Sequence, residues 1–171
     1  MQNICDISKT KGYKNYFYGS SENVLNKLRE NLNKKYPGLV ISGMHAPPFR
    51  QLAKEEDDRI VEKINNNGPD IIWVGLGSPK QDLWMHEHRS RINAPVMIGV
   101  GAAFDFLAEV KPQAPRWIRN NGFEWLFRLI TEPKRLWRRY LIDNPRFIYY
   151  VGMELFLRVF AFRKIKPVSK I

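Results

Sequence analysis

The 171-residue chain is long enough for one real core, and 44% hydrophobic with 13% aromatic residues excludes a disordered protein. Its one cysteine, Cys5, excludes an internal disulfide and fits a reducing compartment. The net charge of +11 is uneven: residues 1–110 carry 14 basic against 13 acidic side chains, while residues 111–171 carry 14 against 4 and hold 12 of the 22 aromatics, a tail suited to a polyanion.

The chain opens on a polar stretch, MQNICDISKTKGYKN, with no apolar leader segment. Asn15 to Gly19 (NYFYG) is an aromatic run closed by glycine and predicts a buried strand. Ser20 or Ser21 can cap the next segment, where Val24, Leu25, Leu28 and Leu32 recur at helical spacing over Glu22 to Tyr36. Pro37-Gly38 ends it, and Leu39 to Met44 predicts a second strand. Pro47 to Lys54 reads as a loop. Glu55 to Asn67 predicts a helix with Ile60, Val61 and Ile64 on one face; its opening acids, Glu55 to Asp58, suit a helix N-terminus better than a metal site. Asp70 to Gly75 (DIIWVG) predicts a third strand, apolar on both faces as in a parallel sheet. A helix from about Gln81 to Arg91, a strand over Val96 to Val100 and a short helix around Phe104 to Leu107 complete the alternation. The pattern predicts an α/β fold: a Rossmann-like, mostly parallel sheet with helices on both faces, over residues 1–110.

From Lys111 the pattern changes. Pro112, Pro115, Pro133 and Pro145 divide the tail into helices predicted over Pro115 to Asn120, Gly122 to Ile130, Pro133 to Leu141 and Pro145 to about Phe162. Residues 111–171 thus read as a basic, aromatic helical appendage. The last helix is apolar around most of its circumference, with Glu154 and Arg158 at i, i+4, and Arg163, Lys164 and Lys166 follow it. The appendage is expected to meet an anionic membrane surface, or to pack on its own domain or a partner. No window has the roughly 18 uncharged apolar residues of a spanning helix. The protein is expected in the cytoplasm, peripheral at the inner face of the plasma membrane. Nucleic acid is not expected, because no recognised nucleic-acid-binding motif accompanies the charge.

In open α/β sheets, ligands sit beyond the carboxyl ends of the strands. Two loops there have suitable composition. Gly75-Leu76-Gly77-Ser78-Pro79-Lys80-Gln81 precedes a helix whose free amides can hold an anion, and reads equally as a tight turn. In Gly99-Val100-Gly101-Ala102-Ala103-Phe104-Asp105, the Asp105 carboxylate reads either as a ribose acceptor or as a helix cap. His86-Glu87-His88 reads as a solvated helix face, because i and i+2 diverge on a helix. His45 reads as a lone loop histidine.

The strings WVGLGSPKQDLWMHEHR and IGVGAAFDFLAEVKPQAPRWIRNNGFEWLFRLITEPKRLWRRYLIDNPRF resemble the signature of the WecG/TagA/CpsF glycosyltransferases. The likeness runs from about Lys14 to Phe147. It implies transfer of N-acetylmannosamine or a related hexose from a UDP-sugar to a polyprenyl-diphosphate-linked glycan acceptor, in cell-wall or surface-polysaccharide synthesis. By resemblance, Gly75, Gly77, Pro79, Lys80, Gln81, Gly99, Gly101 and Asp105 face the UDP-sugar, Phe49 lies near the uracil, and Gln81, Arg128, Arg135 and Arg138 serve catalysis. No DxD motif occurs, so no metal cofactor is expected, and arginines are the natural diphosphate clamp. Arg128, Arg135 and Arg139, at i, i+7 and i+11, share one helical face if Pro133 only kinks the helix. The family's general base lies in an N-terminal segment that no residue here matches. A non-catalytic UDP-binding or membrane-surface module is therefore the alternative reading. Missing strands are also expected to leave an open sheet edge that favours homo-oligomers.

Overall fold

Every strand of the sheet is parallel to its neighbours, in the order β2-β1-β3-β4, with β1 at Asn15–Gly19, β2 at Ile41–His45, β3 at Ile71–Gly75 and β4 at Val96–Gly99. The computed structural model describes residues 1–112 and 114–162, side chains excepted at 135 and 159–162. The chain divides into two compact units, Met1–Gln113 and Ala114 onward.

In the first unit the strands alternate with α2 (Glu22–Lys35), α3 (Lys54–Asn66), α4 (Lys80–His88) and α5 (Ala103–Leu107), within a few residues of the sequence expectation. Alternation along β1 and β3 sends side chains to opposite faces. Phe17 and Trp73 enter one core with Val24, Leu25, Leu28 and Leu32 of α2 and with Phe104. Tyr16, Tyr18, Ile72 and Val74 enter the other with Ile60, Val61 and Ile64 of α3 and with Trp84. Ser21 caps α2, its side chain accepting from the Val24 N–H. The polar start of the chain is a helix, α1 (Gln2–Lys11), which the sequence reading left unassigned. Its Cys5 is buried in the first core, and desolvation there pushes the thiol pKa up to about 11.

The sheet changes direction of winding at β1, since β2 and β3 flank it on opposite sides. That places a crevice beyond Gly19 and Gly75, where such sheets bind ligands. The two strand ends approach closely: a Cβ on Gly19, whose φ is +122°, would stand 2.6 Å from the Gly75 carbonyl carbon. Only glycine fits there.

The second unit holds α6 (Arg116–Asn120), α7 (Glu124–Thr131), α8 (Pro133–Arg138), a π-helical turn at Arg139–Asp143 and α9 (Asn144–Phe162). Two expectations are corrected. Glu132, at φ −130° and ψ 56°, breaks the helix ahead of Pro133, so Arg128, Arg135 and Arg139 are not on one continuous helix. Pro145 does not divide the tail: helical backbone runs through Arg139 and Asn144 into α9. The wider turn just before Pro145 is where the ladder absorbs a residue with no N–H. Among the described residues, no helix is long and apolar enough to cross a membrane.

Candidate functional site

The crevice opens into a cleft of about 690 Å³, within the first unit. Its size suits a nucleotide-sized ligand. The 47–52 loop forms one wall, with Lys54 and Asp57 of α3. The other wall is one stripe of α4 and its extension, Lys80, Trp84, Glu87, His88 and Arg91. Tyr18 at the end of β1, Ser20, Gly75 and Leu76 complete the lining.

A stack of rings backs this cleft. Trp84 lies face to face with Tyr18, at 4.2 Å between centroids, and with His88 at 4.3 Å; Tyr18 in turn stacks on His45 at 5.9 Å. His88 is only 4% exposed. Its Nδ1 lies 2.8 Å from the Trp84 carbonyl oxygen and its Nε2 lies 2.9 Å from Asp57 Oδ1. The other Asp57 oxygen accepts from Arg91 at 2.6 Å, and Arg91 also reaches Asp58 at 2.6 Å. Burial works to raise the Asp57 pKa, but the hydrogen bonds from His88 and Arg91 outweigh it and hold the carboxyl below its ordinary value. Burial, aided by Lys63, lowers the His45 pKa, which favours the neutral ring. Burial raises the Tyr18 hydroxyl well above its usual range.

Two expectations on histidines are thereby overturned. His88 is not on a solvated face, because α4 packs that side on Tyr18 and on the first turn of α3. His45 is not a loop residue, since it ends β2 and stacks on Tyr18. Three of the four acids at the start of α3, Glu56, Asp57 and Asp58, are committed to ion pairs. Arg50 grips Glu56 with two 2.7 Å bonds, while Glu56 also accepts from the Ala53 N–H at 3.0 Å. The Arg50 bonds, then the backbone bond, lower the Glu56 pKa to about 2.

The residues singled out from sequence fall into four groups. Phe49, Gly75 and Lys80 line the cleft, and Phe49 is 93% exposed at its mouth. Gln81, Gly99 and Gly101 form a second cluster, in which Gln81 Oε1 accepts from the Gly101 N–H at 2.9 Å. A Cβ on Gly99 would meet Gln81 Nε2 at 2.8 Å, so that glycine makes room for the glutamine. Gln81 thus ties the β3–α4 loop to the β4–α5 loop. Gly77, at φ +78°, and Pro79, in a cis Ser78–Pro79 peptide, shape the turn before α4, and Asp105 pairs with Lys111 at 3.0 Å. The fourth group, Arg128, Arg135 and Arg138, belongs to the second unit. Arg128 pairs with Glu124, one turn earlier on α7, and Arg138 is exposed. The Arg135 side chain lies outside the described residues, as do Arg163, Lys164 and Lys166. Tyr18, Lys54, Asp57, Trp84, His88 and Arg91 were not anticipated. The one signal for them was the spacing of Lys80, Trp84, Glu87, His88 and Arg91, which repeats every three or four residues.

Among the described residues, no group of three or more His, Cys, Asp or Glu is placed to hold a metal ion. A parallel sheet with a cleft at its winding reversal, bounded by the N-terminal turns of two helices, defines an open α/β protein of the kind that binds ligands at its strand ends. The model of the glycosyl transferase WecG/TagA/CpsF family matches residues 1–159, and the chain belongs to that family. It is similar to an N-acetylglucosaminyldiphosphoundecaprenol N-acetyl-beta-D-mannosaminyltransferase of Staphylococcus aureus, 31% identical over 169 residues, which are 99% of this chain and 61% of the relative. The protein of that name from Bacillus spizizenii is 28% identical over 145 residues, 85% of this chain and 54% of the relative. The chain therefore spans 54% to 61% of the length of these curated relatives.

Proposed function

We propose that this chain carries the nucleotide-sugar half of a glycosyltransferase. The complete enzyme moves N-acetylmannosamine, or a related hexose, from UDP to a polyprenyl-diphosphate-linked acceptor for the cell wall or a surface polysaccharide. The observation that carries this reading is the cleft at the β1–β3 crevice, which joins an exposed aromatic ring, Phe49, to Lys80 at the start of α4. The names of the relatives supply the sugar and the acceptor class.

The chemistry divides by residue. A uracil is flat and apolar on its faces, and Phe49 offers it a stacking surface. The diphosphate becomes the leaving group, and its growing charge needs donors fixed in advance. At the α4 N-terminus the Gln81, Asp82 and Leu83 N–H groups already donate to the Gly77 and Pro79 carbonyls, so the Lys80 ammonium is the natural partner. Gln81 holds the two glycine loops together behind them. The resemblance assigns Arg128, Arg135 and Arg138 to catalysis in the complete enzyme, where Arg128, held by Glu124, must exchange that partner to meet a diphosphate. The basic, aromatic second unit is proposed to rest on an anionic membrane surface, where a polyprenyl-linked acceptor resides.

The test is a calorimetric titration of the chain with UDP at physiological salt, with ADP as control, repeated with a chelator. Selective, chelator-resistant UDP binding is expected. A folded chain that binds neither nucleotide would overturn the assignment of the cleft.

A further inference from the structure

Four cationic side chains line the cleft: Arg50, Lys54, Lys80 and Arg91. Two are already committed, Arg50 to Glu56 and Arg91 to Asp57 and Asp58. A guanidinium held by carboxylates has little left for a phosphate. Lys54 and Lys80 have no ion-pair partner among the described residues. Asp58 stands one turn after Lys54, where it could pair, but it is engaged by Arg91.

Their positions are informative. Lys54 is the first residue of α3, a helix of 13 residues, and Lys80 is the first of α4, a helix of 9. The helix macrodipole disfavours a cation at that end. Both lysines therefore stand where helix stability argues against them, and both border the same cleft. Trp84, 8% exposed, lines the same cleft with its ring stacked on Tyr18. Two cations, one from each helix, thus line one cavity with no ion-pair partner among the described residues.

We propose that Lys54 is the second phosphate-binding cation of this cleft, acting from α3 while Lys80 acts from α4 on the diphosphate of a nucleotide sugar. The proposal rests on reading the cleft as the nucleotide-sugar site. Two point charges on flexible stems can follow the diphosphate as its charge grows. They supply positive charge that the committed arginines do not.

The experiment titrates the whole chain and its Lys54→Gln, Lys54→Arg and Lys80→Gln variants with uridine, UMP and UDP at two salt concentrations. Urea midpoints are measured on the same samples. Lys54→Gln is expected to lose about tenfold in UDP affinity, less for UMP and none for uridine, with a shallower salt dependence. Its urea midpoint is expected to hold or rise, because a cation leaves a helix N-terminus. Lys54→Arg is expected to restore most of the UDP affinity. Equal losses for uridine and UDP, or no loss for UDP in a wild-type chain that binds it, would overturn the role of Lys54. Failure of the wild-type chain to bind UDP at all would instead remove the nucleotide reading, and this proposal with it.

Discussion

The two units of this chain use the same residue types in opposite ways. In Met1–Gln113 the aromatics of the central strands are hidden: Tyr16, Phe17 and Trp73 are 0% exposed. In the second unit Trp117 is 66% exposed and Ile130 71%, and every described residue from Phe147 to Val151 is exposed. The first unit is close to electrical neutrality, while the second is strongly basic. Apolar surface left open beside like charges is not what a self-contained core needs, and contiguous patches of that kind mark interaction surfaces. The comparison separates a part that folds around its own sheet from a part that leaves much of its apolar surface exposed.

The sharpest way to break that comparison is a pair of tryptophan truncations. Trp73→Ala removes a fully buried indole and is expected to cost about 3–5 kcal/mol in urea unfolding. Trp125→Ala, at a side chain 46% exposed, is expected to cost about 1 kcal/mol or less. Similar losses would mean the second unit has an equivalent core.

The ring stack of the first unit comes next. His88→Ala empties a buried site and leaves Asp57 without one partner, at an expected cost of about 1–3 kcal/mol in the same assay. The acid limb follows in sign. Asp57 and Glu56 have folded pKa values below their ordinary 3.8 and 4.5, so their contribution is present above that range. It is lost as pH falls toward about 2, the value for Glu56. Urea midpoints measured down that range are expected to decline, and Asp57→Asn is expected to flatten the decline.

For the second unit, removing the chain after Ile142 is expected to weaken binding to anionic vesicles by at least about tenfold in co-sedimentation. Retained binding would assign the membrane contact to α7 and α8. The smallest effect is expected at Gln81. Gln81→Ala frees the Gly101 N–H and is expected to cost about 1 kcal/mol, with faster hydrogen exchange at that amide. An unchanged exchange rate would mean the two glycine loops hold together without it.

Much of the first unit was legible in the chain. NYFYG, DIIWVG and the repeats at Leu25, Leu28 and Leu32 or Ile60, Val61 and Ile64 are local patterns, and they fixed the parallel strands and the helices packed on them. The glycine loops at the strand ends were legible for the same reason, since turns are decided by adjacent residues. The tail was less legible: Pro145 was read as a break, but a π-helical turn carries the helix through it. A short polar helix such as α1 has no strong periodic signal, and it was missed.

The cleft lies on the other side of that divide. Nothing local distinguishes His88 from His86, yet the fold buries the first between Trp84 and Asp57 and leaves the second in solvent. Asp57 meets His88 across 31 residues and Arg91 across 34. Those pairings decide which cations are committed and which, like Lys54, have no ion-pair partner among the described residues. Sequence alone determined the family, the elements and the charge split, because each is written in residue type and short spacing. Tertiary structure alone decided the contents of the site, because burial and charge pairing depend on which faces meet when distant helices pack on one sheet.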